Sequence, residues 1–514
     1  MKEGLKYTKN LLSNILGNIA LVLIVMVGTP ILINTMGSDA YALWRIMVFT
    51  IISYAVLFDL GITASVKRYL GNALACEDYE KAAKVGTTAF YIYALLGALG
   101  ALVVLSSIFW LPLTMEIPDE FELDFSLLAI STAIYVFVLF INNVYGVVFF
   151  ILGRFEISQA LLVFGRAGIF FGAPLLIISC GMKPLAAMSA TICAVSVLLV
   201  LFTTIFSKKV CPKYGVKLAP PDLSIAESMF SFGIYGFFIL LGPLLANQTQ
   251  PIIIGQMLSL SAVTSFSVLY ILYSQCNSIV SSVTSPFFTI IMSLYGAGKF
   301  DELGKKFSEA ISISFLIEIS CVVPICFMAG TFFKYWISPE YYSLNKYMLM
   351  FLPAIIGMPY VYLSTQFLTA VGNIKPIGMY SIYMGISSII LTYALLYFTD
   401  WGLGGVVIAF CIPYALRALA CLRSTASQMK ISWTICLKPI LNSIPVFLIG
   451  YVSMELLFFI KEPDSLFLTL FYMCILATIS ILTGFFVFLG NKQRNDILAC
   501  VYKALPYGFA ERRK

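Results

Sequence analysis

LLSNILGNIALVLIVMVGTPILI, Leu11 to Ile33, decides the fold, because it runs from Leu11 to Ile33 without one charged side chain. The hydrocarbon core of a bilayer needs about 20 apolar residues of helix to cross its ~30 Å. Ser13, Asn14, Asn18 and Thr29 are the stretch's only polar members, too few for the solvated face of a surface helix. Lys2, Lys6 and Lys9 precede it in the manner of a signal peptide. The apolar run outlasts such a segment and contains no small-residue cleavage site, so the reading is a retained span.

The same ruler applies along the whole chain. Its 514 residues are 60% hydrophobic and 11% charged, with a mean hydropathy of +0.95, where a soluble domain has about a quarter of its residues charged. No polar block of domain size remains. Helices are expected near 11–35, 41–66, 86–111, 125–152, 157–180, 184–206, 228–257, 262–293, 307–333, 343–371, 376–399, 402–425, 436–458 and 466–490. The chain therefore reads as an all-α polytopic membrane protein of about 14 transmembrane helices.

Composition also excludes chemistry. There is no histidine, and the 12 cysteines have no zinc or redox spacing; most, such as Cys193, Cys276, Cys321 and Cys411, fall in apolar helices as small buried hydrophobes. No catalytic set, metal-ligand set or cofactor motif is present, and the chain does not read as an enzyme. The charge of +7 is a topology signal, since no separate basic domain supports nucleic-acid binding. With the N-terminus inside, about 25 lysines and arginines collect on the cytoplasmic side against about 4 outside (Lys183, Lys334, Lys346 and Lys461), which places both termini in the cytoplasm. The outer run Glu116, Asp119, Glu120, Glu122, Asp124 reads as a solvated face.

Self-comparison shows a repeat. Pro30 in VGTPILI and Pro251 in QTQPIII are 221 residues apart. Asp78 and Asp301 follow at 223, Gly153 and Gly372 at 219, and Gly181 and Gly402 at 221. Prolines and glycines mark helix ends everywhere; the constant offset carries the argument. Two pseudo-symmetric six-helix lobes are expected, 1–207 and 228–425, joined by a cytoplasmic linker, 208–227. A helix pair within 426–490 and a cytoplasmic tail, 491–514, follow. An even-numbered repeat inserts with one orientation and implies a central cleft.

The run YALWRIMVFTIISYAVLFDLGITASVKRYLG, Tyr41 to Gly71, followed by DYEKAAK, resembles the second-helix signature of the Wzx-type O-antigen and polysaccharide flippases. These form the polysaccharide transporter branch of the multidrug/oligosaccharidyl-lipid/polysaccharide exporter superfamily. The matching elements are Tyr41 with Trp44, Asp59 with Gly61, and Arg68 with Tyr69. The resemblance implies translocation of an undecaprenyl-diphosphate-linked oligosaccharide (an O-antigen, capsule or exopolysaccharide repeat) across the bacterial inner membrane by alternating access. It also implies a proton or sodium as coupling ion, and a polysaccharide polymerase and chain-length regulator as partners. The second copy lacks the Asp-x-Gly, with Ser281 and Ser282 near the expected place.

Ionisable groups at membrane depth cost about 2.5–3.5 kcal/mol on insertion scales and need a partner or water. Arg166 and Asp59 have depths that allow a pair in the first lobe, as do Arg417 and Glu318 in the second. The bland reading is structural ion pairs; the functional one is that the arginines meet a lipid diphosphate, which guanidinium geometry suits. Arg45 reads either as a snorkelling residue or as part of the site, and Lys67 and Arg68 as a diphosphate contact or an interfacial anchor binding inner-membrane lipid. Asn247, Gln248 and Gln250 before Pro251, with Gln275 and Asn277, suit a sugar-contacting wall or interhelical hydrogen bonds. A peptidoglycan-precursor lipid flippase and a cation-coupled multidrug exporter of the same superfamily are the alternatives. The first helix lacks the acidic residue expected of the exporter, and the short outer loops argue against a polymerase or ligase.

Overall fold

The structure, a computed structural model, describes residues 2–214, 216, 219–373, 375–429, 432, 437–491 and 493–495; the side chains of 1–12, 15, 64, 75, 228 and 230–240 are also outside the described residues. The terminal lysines and arginines of the sidedness reading (Lys2, Lys6, Lys9, Lys503, Arg512, Arg513 and Lys514) fall there too. Among the described residues every regular element is helical, as lipid demands when no water can satisfy backbone groups.

In chain order the helices are α1 (Lys2–Met36), α2 (Ser38–Asp59), α3 (Ile62–Ala75), α4 (Tyr79–Thr114), α5 (Glu122–Ile151), α6 (Phe155–Cys180), α7 (Pro184–Val210), α8 (Leu223–Gln248) and α9 (Gln250–Met257). There follow α10 (Leu260–Thr284), α11 (Phe287–Gly296), α12 (Phe300–Trp336), α13 (Pro339–Met350), α14 (Leu352–Ala370), α15 (Lys375–Phe398), α16 (Leu403–Met429), α17 (Lys438–Ile460) and α18 (Leu466–Phe488). Among the described residues 12 helices or broken helices are long and apolar enough to cross a membrane, 13 with the α13–α14 pair, bent by 45°. The expected span 228–257 is the one left out of that count, because it falls largely on the undescribed side chains of α8.

Four expected spans are not continuous. The second ends at Leu60 and Gly61, both with positive φ (46° and 77°), and α3 starts afresh. The seventh breaks at Thr249, the eighth between Thr284 and Phe287, and the tenth at Phe351. The physical reason is local: a left-handed residue, or a proline just after the break, removes the next helical hydrogen bond.

Helix ends recur at one spacing. Met36 and Met257 close α1 and α9, Tyr79 and Phe300 open α4 and α12, and both pairs are 221 apart. Glu77 and Gly298, again 221 apart, share positive φ, as do Gly153 with Gly372 and Gly181 with Gly402. One registration changes: the residue matching the Asp78 N-cap is Lys299, at 221, rather than Asp301. Asp78 accepts from the Lys81 amide at 2.9 Å. Pro30 and Pro251 keep the offset but not the role, since α1 is continuous through Pro30 whereas Pro251 stands in the first turn of α9.

The chain packs as two compact units, Met1–Val268 with Ser381–Ala409, and Leu269–Tyr380 with Phe410–Lys514. This is a division by packing, whereas 1–207 and 228–425 are a division by sequence kinship. In the first unit Tyr214, at the start of the expected linker, is buried and donates to the Val144 carbonyl at 2.9 Å. Further along, Asp222 caps α8, accepting from the Ser224 hydroxyl at 2.7 Å and the Ile225 amide at 3.2 Å. Those bonds hold its carboxyl below the ordinary aspartate range. Asp124 and Lys183, both expected outside, lie 3.9 Å apart.

In the second unit α12 is central, with 67% of its apolar window buried against 22% for each of α17 and α18. The C-terminal pair packs on α12 through glycines: Gly450 faces Val323, and a Cβ on Gly484 would stand 2.6 Å from Leu316. Small residues let helix backbones approach where lipid offers no hydrophobic drive.

Helices α8 and α15 cross backbone to backbone, where a Cβ on Gly385 would stand 2.6 Å from the Gly242 carbonyl oxygen. Backbone cannot step aside as a side chain can. Gly385→Ala is therefore expected to destabilise by ~1–3 kcal/mol. On the same helix Gly378, with nothing near, should gain up to about 1 kcal/mol on Gly378→Ala from helix propensity. Thermal unfolding of the two variants in micelles checks the opposite signs.

Candidate functional site

The second helix shapes the site. Tyr41 and Trp44 are fully buried, Trp44 meeting Phe49 at 5.3 Å and Phe170 at 5.7 Å between ring centroids. From Ile46 to Ile51 α2 widens into a π-helical turn, which admits one extra residue and rotates everything beyond it. Phe49 thereby reaches the wall of a cavity inside the first unit. Arg45 lies over its ring at 3.7 Å and Arg166 at 5.4 Å.

At the end of α2 the Asp-x-Gly has a local mechanical role. Gly61 takes the left-handed turn while Asp59 accepts from the Thr63 hydroxyl at 2.7 Å and, at 3.4 Å, from its amide. The carboxylate thus captures the otherwise unsatisfied start of α3. Thr63 in turn shares a 2.9 Å hydrogen bond with the Tyr93 hydroxyl. In the second copy the corresponding break is made by Ser285 and Pro286 instead, so no acid is needed there.

The cavity, about 550 Å³, is lined from α2, α3, α5, α6 and α7. Arg166 and Lys67 supply its charge, and Asn142, Asn143, Tyr135 and Thr63 much of its polarity. No carboxylate lines it, and among the described residues none lies within ion-pair distance of Arg166 or Lys67. Lys67 rests over Phe150 at 4.2 Å. The Asn142 amide oxygen is buried without a hydrogen-bond partner. A second hollow in this unit, about 1000 Å³, is larger, but it is lined by helix ends and the segments between them, including Asp39, Glu116 and Asp119, with the opposite sign of charge.

Of the residues singled out in the sequence, Arg166 and Lys67 thus line one cavity, Asp59 is bonded to Thr63 of its lining, and Arg45 lies over its Phe49. Arg68 is exposed, over Tyr69 at 5.8 Å. Gln250 is fully buried and spent, donating to Ser388 and accepting from Thr392, both at 3.0 Å. Asn247 is half-buried at the end of α8. Gln275, Glu318 and Arg417 belong to the other unit. Neither ion pair allowed by depth forms: Asp59 is taken by Thr63, Arg417 is bonded to Cys421, and Glu318 is not paired. Phe49, Tyr135, Asn142 and Asn143 were missed, although the adjacent asparagines in the apolar run FINNVYG are a visible signal.

No family model matches the chain. A Bacillus subtilis (strain 168) protein described as uncharacterized membrane protein EpsK is 20% identical over 419 residues, covering 80% of this chain and 81% of that protein. Among solved structures, an inward-facing multidrug resistance MATE family transporter of the MOP superfamily matches with a TM-score of 0.67 at 16% identity, over 80% of this chain and 94% of its own. The lipid II flippase MurJ, in an inward closed conformation, matches at 0.66 and 14%, over 94% of this chain and 100% of its own. The fold is that of MOP-superfamily transporters. The MurJ match takes in more of this chain than the MATE match does.

A cavity lined by two cations and no carboxylate should concentrate anions. In native membranes Ser158→Cys, on the cavity wall, is expected to react several-fold faster with an anionic thiol reagent than with a neutral one of equal size. Lys67→Gln or Arg166→Gln should erase that preference, read peptide by peptide by mass spectrometry.

Proposed function

We propose that this chain is a flippase that carries undecaprenyl-diphosphate-linked oligosaccharides, the repeat units of a surface or exported polysaccharide, across the bacterial inner membrane. The observation that carries this reading is that Arg166 and Lys67 line one cavity with no carboxylate in its lining and, among the described residues, none within ion-pair distance of either. Two such cations are costly at that depth unless an anion joins them. A diphosphate offers several charged oxygens, in a geometry that guanidinium matches with two parallel bonds. Asn142 and Asn143 add neutral hydrogen-bonding groups of the kind sugars need, and the unpartnered Asn142 oxygen suits a hydroxyl donor.

The sign of the charge bears on the alternatives. A cavity of this polarity disfavours cationic drugs, which weighs against a multidrug exporter despite the MATE likeness. The MurJ likeness favours a lipid-linked saccharide, and a peptidoglycan precursor is the second reading because it carries the same diphosphate. The resemblance around Tyr41 to Gly71 favours the polysaccharide substrate, with a polymerase and a chain-length regulator acting on the product.

The test is complementation of a strain whose own copy of this gene is deleted, with protein levels in the membrane measured in parallel. Arg166→Ala is expected to lower surface polysaccharide at least tenfold, as the loss of ~1.5–3 kcal/mol of charge-assisted bonding implies. Arg166→Lys should fail as well if paired bonds to phosphate matter. Normal polysaccharide from both variants, and from Lys67→Ala, would overturn the reading.

A further inference from the structure

The second unit holds a carboxyl that the cavity does not use. Glu318 lies in the middle of α12 and is 1% exposed, and neither of its oxygens has a hydrogen-bond partner. Among the described residues no cation pairs with it. The titratable groups that feel it are thiols: Cys276, which reaches it from α10, and Cys321, one turn along α12. Tyr360 of α14 stands a turn away, against Phe315 at 5.2 Å. α17 and α18 meet α12 at Val323 and Leu316, which at 100° per residue is the side of α12 away from Glu318 and Cys321.

A bare carboxylate in such surroundings has nothing to replace its lost hydration. A buried acid kept without a structural bond gains nothing for the fold that glutamine or leucine would not supply better. We infer that Glu318 is the coupling site of the transport cycle, holding one proton in this conformation and yielding it when water reaches α12. The step is a simple transfer: the carboxyl O–H bond breaks, the proton passes to water as hydronium, and the carboxylate left behind is hydrated by the water that entered. A sodium ion is the poorer occupant. Hard cations need a cage of several oxygen ligands, and beside Glu318 the structure offers the Ser314 hydroxyl, one turn back on α12, and two thiols.

The inference rests on the transporter reading, yet its test uses no substrate. In the full-length protein in lipid nanodiscs, infrared difference spectra should show the C=O stretch of a protonated carboxyl at neutral pH, where exposed carboxyls are ionised. Glu318→Gln should lose that band, and Glu318→Asp should retain it, shifted. In parallel, alkylation of Cys276 and Cys321 by N-ethylmaleimide should rise with pH several-fold more steeply in wild type than in Glu318→Gln, because ionisation admits water beside the thiols. An identical carboxyl band in wild type and Glu318→Gln, or identical alkylation profiles, would overturn the assignment. Either failure would leave the Arg166 complementation untouched, and a failure of that complementation would leave these two measurements standing.

Discussion

Every backbone N–H and C=O in the hydrocarbon region must find a partner within the protein, and the rest of the structure follows from that demand. It makes each crossing a helix, and it makes each interruption of a helix something that side chains have to repair. At Leu60 and Gly61 the repair is Asp59, whose carboxylate takes the start of α3. At Thr249 it is the threonine hydroxyl, bonded back to the Leu245 carbonyl at 2.7 Å and joined to Tyr54. The serines and threonines along the spans return their hydroxyls to carbonyls three or four residues back, as at Thr35, Ser196 and Thr284. Interruptions are therefore expensive, and the chain has them where a wall has to be shaped.

The same demand sorts the polar side chains. Gln250 has both ends of its amide occupied by Ser388 and Thr392, and Gln159 donates to Asn14 at 3.0 Å between α1 and α6. Such bonds lock helices together, and at Gln250 they leave nothing for a ligand. Arg166, Lys67 and the Asn142 oxygen are in the opposite condition, facing a cavity with capacity unspent.

Much of this was legible in the sequence, for reasons that also explain what was not. Apolar length reports a span directly, and glycine at a positive φ reports a helix end, so α1, α7, α17 and the Gly181 and Gly402 turns could be read off. Depth along a helix could be counted as well: Arg166 lines the cavity, and Asp59 is bonded to Thr63, which lines it too. Azimuth could not. The π-helical turn at 46–51 inserts a residue into α2, and one residue is about 100° of rotation; no pattern in IMVFTI announces it. That shift decides that Phe49 lines the cavity and that Asp59 turns to Thr63 instead of Arg166. The break at Ser285 was missed for a related reason, since an uninterrupted apolar run looks the same whether its helix bends or not, whereas Pro251 with its polar amides did mark the break at Thr249.

The two copies of the repeat separate what the scaffold requires from what the ligand requires. Helix ends recur at 221 residues down to single positions, as with Tyr79 and Phe300 or Gly181 and Gly402, because capping is a demand that every copy of the fold must meet. The polar interior does not recur. The positions 221 beyond Lys67, Asn142 and Arg166 are Phe288, Leu363 and Ser387, and the position 221 before Glu318 is Gly97. Even the Asp-x-Gly, which has a mechanical task at one break, is replaced by serine and proline at the other. Selection for folding alone would keep both copies equally apolar inside, since a buried charge weakens either of them. The cations that line the cavity of the first unit and the unpaired acid of the second thus have no counterpart at the matching positions of the other copy.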